Sequence, residues 1–297
     1  MHIIHALKYP FHYAYTNVLY PHALNYRYRG IIRKNRALRD THKGKRCFIL
    51  GTGPSIKDFD LVELKDEYTF AVNDMDKHPR YRDLNAKFYA IADTTYFISK
   101  SDDDFWGLNL KHKTENISPS TRLLLNIKAR PLIEQKNIFS HHPITYISYH
   151  GIFSDKIPFN IGLDKTVPYP KNVVLACMIA AVYMGFEELY LLGCEHSYLS
   201  NPTGLGKIKT VSHFYSTEDE KKIDPTKDIK TIQERGLQRD VEMSYEKYMV
   251  SVLQLFKNYR HFSTKVEQTH PRVKIYNTTP NTFLDIFPCI DFDDIEF

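Results

Sequence analysis

A parallel α/β sheet with helices on both faces is the fold class the sequence predicts, and three observations predict it. Arg46-Cys47-Phe48-Ile49-Leu50 is a short apolar run that stops at a glycine turn, as a strand buried on both faces does. Asn172 to Met184 is strongly apolar and stops at Gly185, the pattern of a buried helix with a glycine at its C-terminus. After a short connection, Glu188-Leu189-Tyr190-Leu191-Leu192-Gly193-Cys194 is a second buried strand. Helix, short loop and strand in that order are half of a βαβ crossover, which requires a parallel sheet.

The remaining elements follow in chain order. Residues 1–44 combine Tyr9, Phe11, Tyr13, Tyr15, Tyr20, Tyr26 and Tyr28 with the basic tract Arg27, Arg29, Arg33, Lys34, Arg36 and Arg39. They read as an N-terminal helical arm, either packed on its own domain or a partner subunit, or seated on an anionic membrane face. The domain proper spans residues 45–297. Ile56 to Leu61 opens a short helix or turn with Ser55 as its N-cap. Strands are expected at Tyr68–Val72, Lys87–Ala92, Arg122–Ile127 and Thr145–Tyr149, and a last one at Val273–Asn277. Residues 99–120 and 150–170 read as loops. Residues 200–235 form a long polar lid, since connections of that length in compact enzymes are usually functional or mobile. Thr231 to Tyr259 reads as a long helix, with Val241, Tyr245, Tyr248, Val252, Leu255 and Phe256 near helical spacing.

Composition narrows the function classes. The formal net charge is +5, which suits an anionic ligand or membrane surface but is too weak to indicate nucleic acid. Cys47, Cys177 and Cys194 sit in apolar runs, and neither they nor Cys289 form a Cys-x-x-Cys pair. They read as free thiols in a reducing compartment. No apolar window reaches 18 residues and the N-terminus lacks a signal-peptide pattern, so the expected location is cytoplasmic, or peripheral on the inner face of the membrane.

The chemistry centres on Gly51-Thr52-Gly53-Pro54-Ser55. A tight Gly-x-Gly after a buried strand lets backbone N–H groups approach a phosphate, and the following turn offers its positive N-terminus. The bland alternative is a plain strand-to-helix turn. Ligands of parallel sheets sit beyond the carboxyl ends of the strands. That brings in Asn73 and Asp74, Asp93, and the group Glu195, His196 and Ser197. His213, in the polar stretch, is the candidate general base, because an unperturbed histidine titrates near pH 6.5. Asp102-Asp103-Asp104 contains an Asp-x-Asp pattern, but its Ser, Lys and Phe flanks favour an acidic loop. No obligatory metal is expected.

Two families resemble this chain. Residues Cys47 to Asp60 resemble the opening of bacterial family 42 sialyltransferases, which use CMP-sialic acid and whose turn usually reads Gly-Asn-Gly-Pro-Ser, so Thr52 departs from it. Leu175 to Cys194 resembles their helix–strand unit. The same segments resemble the 6-hydroxymethylpterin diphosphokinase-like family, which includes flagellin-modifying and surface-polysaccharide proteins. The resemblance covers residues 45–95 and 170–215. It implies a Rossmann-like nucleotide domain with a lid. It also implies donor phosphate at Thr52 and Ser55, nucleotide at Asn73 and Asp93, and Glu195 as the acid ending the strand. His213 would be the base, and Tyr198 and Tyr215 the pair assisting departure of CMP.

The expected function is a glycosyltransferase of bacterial surface-glycan synthesis that moves sialic acid or a related sugar from a CMP-activated donor to a sugar hydroxyl, without an obligatory cofactor. Its partners are the donor and a glycan acceptor, with peripheral membrane contact through residues 1–44 and a homo-oligomer as further expectations. The alternatives are a Mg²⁺-dependent pyrophosphokinase using Asp93 and Glu195, and a non-catalytic nucleotide-binding protein.

Overall fold

The computed structural model describes residues 15, 19–151, 153, 159, 161–197, 213, 214 and 245–297. Seven parallel strands form one sheet: β1 (Arg46–Leu50), β2 (Thr69–Val72), β3 (Phe88–Ile91), β4 (Arg122–Asn126), β5 (Ile144–Ile147), β6 (Glu188–Leu192) and β7 (Lys274–Asn277). Their order is β5-β4-β3-β2-β1-β6-β7. The chain builds outward from β1 to β5, then returns to the other side of β1 and builds outward again. β1 therefore pairs with β2 on one side and β6 on the other, with Ile49 opposite both Phe70 and Leu191.

The two faces of the sheet divide the apolar side chains by the two-residue period of a strand. Cys47, Ile49, Leu189 and Leu191 join one core, whereas Phe48, Leu50, Tyr190 and Leu192 join the other. The first core is covered by α5 (Val173–Met184), all of whose twelve residues are buried, and by the long helix α6 (Tyr245–Thr269). A helix apolar on every side has to be enclosed on every side. The second core is covered by the short helices α2 (Tyr81–Leu84), α3 (Phe105–Asn116) and α4 (Arg130–Lys136) together with several 3₁₀ turns.

Three expectations change. Residues 105–116 are helix, not loop. Asp104 caps α3 by accepting the Gly107 N–H at 2.7 Å, and Asp102 pairs with Lys136 at 2.8 Å, so two of the three consecutive aspartates have structural partners. The face α3 buries is Gly107, Asn109, Leu110 and Lys113, mostly polar, which hides its period from a hydrophobicity count. The described part of α6 runs ten residues past Tyr259, because Phe262 and Val266 extend the buried stripe Val252, Leu255, Tyr259. Ser55 is no N-cap: it lies inside a 3₁₀ turn, Pro54–Asp58, whose cap position is Gly53.

The N-terminal segment forms α1 (Tyr20–Ile32) and a 3₁₀ turn, Arg33–Leu38. Leu24 and Ile32 are buried. The Asn35 side-chain amide donates to the carbonyls of Tyr146 and Leu163 at 2.9 and 2.8 Å. Past it, the Asp40 and His42 amides bond to the carbonyls of Tyr183 and Met184 at the end of α5. The segment is thus packed on its own domain. The expected lid at 200–235 lies outside the described residues. Among the described residues no helix is long and apolar enough to cross a membrane.

Candidate functional site

The place where the strand order reverses, between β1 and β6, is where a parallel sheet opens a crevice beyond its carboxyl edge. The structure has a cavity of about 380 Å³ there, and the ends of four strands line it. Gly51, Thr52, Gly53 and Pro54 come from β1, Asn73 from β2, Asp93 from β3, and Glu195, His196 and Ser197 from β6; His213 joins them from far along the chain. Of the expected site residues, Ser55 does not line the cavity, and Tyr198 and Tyr215 lie outside the described residues.

The glycine turn is tied to β6 more tightly than a phosphate cradle would be. Gly51 and Gly53 donate their N–H groups to the carbonyls of Leu192 (2.7 Å) and Gly193 (3.0 Å). Ser55 donates its own to the Glu195 carboxylate at 2.5 Å. Three of the amides expected to meet a phosphate are therefore already used, and Pro54 has none to give. The glycines serve a close approach of another kind. A Cβ on Gly51 would run into the Gly193 carbonyl, and one on Gly53 into the Glu195 carboxylate. Gly193 itself has φ of 64°, in the left-handed region that glycine tolerates.

One end of the cavity is the N-terminus of α5. Asn172 caps this helix, its Oδ1 accepting the Leu175 N–H at 3.0 Å. Among the described residues the amides of Val173 and Val174 have no acceptor, and both residues line the cavity beside Lys171. Two open N–H groups and a helix dipole meet there, with Lys171 in the same wall, a combination suited to a phosphate. Sequence reasoning identified the helix and missed its end as a site. Pro-Lys-Asn directly before an apolar run was the available signal.

Thr52 bonds both to His213 and to the residue after it. The imidazole Nδ1 of His213 lies 3.1 Å from Thr52 Oγ1, and the next residue, Phe214, donates its N–H to the Thr52 carbonyl at 3.0 Å. Phe214 is buried in the second core with its ring against His78, so an apolar anchor sits next to the imidazole. Thr52, expected at the phosphate, lines the cavity and its hydroxyl also meets the candidate base.

Glu195, Asp93 and Asn73 each have one fixed side. Glu195 accepts from Ser55. Asp93 Oδ1 accepts the Thr95 N–H at 2.9 Å and caps a 3₁₀ turn. Asn73 has φ of 48°, and its Oδ1 is buried with no partner. Its backbone carbonyl accepts from Lys113 Nζ at 2.5 Å and from the Tyr89 hydroxyl. Lys113 is fully buried and also bonds Asp74 and Asp76 at 2.9 and 2.6 Å. Burial pushes both carboxyls upward, but the Lys113 ammonium and the surrounding hydrogen bonds outweigh it and hold both below the usual carboxylate range. This cluster behind the cavity fixes the end of β2.

His196 belongs to a different group. Its Nε2 lies 2.9 Å from the Tyr259 hydroxyl, and the Asn172 amide reaches both, at 2.7 Å from the tyrosine oxygen and 3.3 Å from the imidazole. Burial pushes the imidazole pKa down to about 4. A neutral ring whose Nε2 accepts fits a neighbour that can only donate. His196 therefore joins the end of β6 to α6 and to the cap of α5.

No protein-family model matches the chain, and no curated protein matches it by sequence. Among solved structures it is similar to the MAf glycosyltransferase of Magnetospirillum magneticum AMB-1, with a TM-score of 0.44 and 12% identity over 90% of this chain. The chain spans 38% of that protein's length. It is also similar to the sialyltransferase CstII of Campylobacter jejuni, solved with cytidine-5'-monophosphate, with a TM-score of 0.40, 15% identity, and 84% and 85% of the two chains covered.

Proposed function

We propose that the protein is a glycosyltransferase that takes a sugar from a nucleotide-activated donor, a CMP-sugar of the sialic acid type, and passes it to a sugar hydroxyl of a surface glycan. The observation that carries this reading is the pairing, in one cavity, of an anion end and a base. Lys171 and the open amides of α5 stand at one wall, and the Thr52–His213 pair at another. In the transfer, the acceptor oxygen forms a bond to the anomeric carbon while the bond from that carbon to the phosphate oxygen breaks. His213 Nε2 takes the acceptor's proton. The charge that accumulates on the departing phosphate falls on Lys171 and on the helix N-terminus, whose amides are fixed before the reaction begins. Asn73 Oδ1, buried and unpartnered, suits a donor group of the nucleoside.

The test is a thermal-shift panel of CMP, CDP, UDP, GDP and ATP, each with and without Mg²⁺. A ligand that binds only the folded state raises its melting temperature by mass action. CMP is expected to stabilise the protein without metal, and Lys171→Gln to weaken that effect. Stabilisation by ATP with Mg²⁺ alone would replace this reading with a phosphotransferase.

A further inference from the structure

The basic character of the chain is concentrated in one place. Residues 21–46 hold nine of its 40 Lys and Arg and one of its 35 Asp and Glu, so the remainder of a chain of net charge +5 is slightly acidic. One face of α1 is used for packing, through Leu24, Ile32 and the bond from the Thr166 N–H to Asn25. The opposite face is open and mixes two kinds of side chain. Tyr26 is 72% exposed, and Leu19 and Tyr15, which precede the helix, are 62% and 55% exposed. Arg29 lies over the Tyr26 ring at 4.9 Å and Arg27 over the Tyr28 ring at 5.4 Å.

Beside this face is a hollow of about 260 Å³ lined by Arg29, Arg33, Arg36 and Lys165, with His22 and Asp164. Asp164 is neutralised by Arg36 at 3.0 Å and Arg39 at 3.4 Å. Arg29, Arg33 and Lys165 have no acidic partner among the described residues, so the hollow is positive. We propose that α1 and this hollow are a docking surface for an anionic lipid bilayer. The cations would meet headgroup phosphates, and the exposed tyrosines and Leu19 would enter the interfacial layer. An exposed leucine and ring-bearing face at a helix end suit a bilayer better than a nucleic-acid backbone, which asks for cations alone.

The orientation is informative. The Tyr20 ring is 4.5 Å from that of His150, which follows β5 at the carboxyl edge of the sheet. The apolar end of α1 thus lies on the edge that bears the cavity. A bilayer engaged there lies next to the strand ends and not at the far side of the molecule.

Co-sedimentation of the full chain with vesicles tests this. Vesicles of phosphatidylcholine containing one-third phosphatidylglycerol should retain the protein, and pure phosphatidylcholine should not. Each cation removed should lower partition by about fivefold at low salt, so Arg29→Gln with Arg33→Gln lowers it by about twenty-five-fold. Tyr26→Ser with Leu19→Ser, which leaves the charge unchanged, should lower it several-fold. All four side chains are exposed, so melting temperatures should match the parent. If the arginine pair nonetheless fails to fold, Lys165→Gln gives the same readout at one cation. Equal retention by both vesicle types, binding unchanged in the variants, or tighter capture by single-stranded polyuridylate than by anionic vesicles would overturn the proposal.

Discussion

At the scale of single residues, the proposed transfer depends on the pair Thr52 and His213. An imidazole accepts a proton at Nε2 only if its other nitrogen carries the hydrogen. That requires Nδ1–H to donate to Thr52 Oγ1, 3.1 Å away. His213→Ala should lower transfer by about 10²–10⁴-fold, the usual contribution of a general base, with nucleotide affinity nearly unchanged. Thr52→Val should lose part of the same factor and Thr52→Ser should recover it. A valine variant with full turnover would remove Thr52 as the positioning residue. His196 behaves differently, because burial and not catalysis sets its state. Its pKa falls from the ordinary value near 6.5 to about 4 in the folded protein. Above pH 6.5 neither state is charged and the effect on stability vanishes. As pH falls, the unfolded chain binds a proton that the folded one refuses, so stability is lost between about pH 6.5 and 4 and levels off below. The loss is at most about 3 kcal/mol. Urea unfolding across that window should show His196→Gln with a shallower slope than the parent, and identical slopes would place the titration elsewhere.

At the scale of elements, sequence legibility followed the kind of group each element buries. β1, β6 and α5 bury only apolar side chains, and their runs are plain in the sequence. α3 buries Asn109 and Lys113 beside Leu110, and no count of apolar period finds such a helix. Its contribution is nonetheless specific to the site. Lys113 crosses from α3 to the end of β2 and bonds the Asn73 carbonyl, Asp74 and Asp76. Lys113 faces two buried carboxylates, with Lys77 3.6 Å from the first and His112 2.7 Å from the second. Lys113→Met would leave Asp74 with Lys77 alone and take from the buried Asp76 its ammonium, at a cost of about 3–5 kcal/mol. It would also free Asn73 from its left-handed conformation. Chemical denaturation should show the loss, and Lys113→Arg should restore little of it, since the longer fork has no room in a fully buried position. A methionine variant of parental stability would mean that the carboxylates are neutralised by another route. The same division explains the site itself. The polar residues ending β1, β2, β3 and β6 were readable because each follows an apolar run. The open amides of α5 left only the Pro-Lys-Asn signal before the helix, because they are backbone groups whose availability depends on the cap and on what lies opposite.

At the scale of the whole molecule, the parallel sheet and its two covered faces were predictable from the run lengths. The order β5-β4-β3-β2-β1-β6-β7 was not, because strand neighbours depend on crossovers that no local pattern records. The position of residues 20–44 also needed the structure. Their aromatic and basic composition describes the open face of α1, while their attachment rests on a few buried groups. Ile32 is 1% exposed and Asn35 6%. Asn35 alone satisfies two carbonyls, one in β5 and one in the segment leading to α5. His42 stacks on Phe186 with ring centroids 4.6 Å apart, at the start of the connection to β6. Fully burying one aliphatic side chain contributes about 1.5–3 kcal/mol, and an abandoned buried carbonyl costs about 1–3 kcal/mol. Removing Leu24, Ile32 and Asn35 together is therefore comparable with the roughly 5–15 kcal/mol that separates a folded domain from its unfolded chain. A chain starting at residue 45 should melt far below the parent or fail to fold. Trp106, the sole tryptophan, reports on this from the opposite face, where it packs against the Tyr96 ring at 5.1 Å. In the full chain its fluorescence and the far-UV circular dichroism should give one coincident urea transition. In the shortened chain the Trp106 transition should move to lower urea although no deleted residue belongs to the core it reports on. An unchanged Trp106 midpoint would show instead that the N-terminal segment is a separable arm carried by an independently stable sheet.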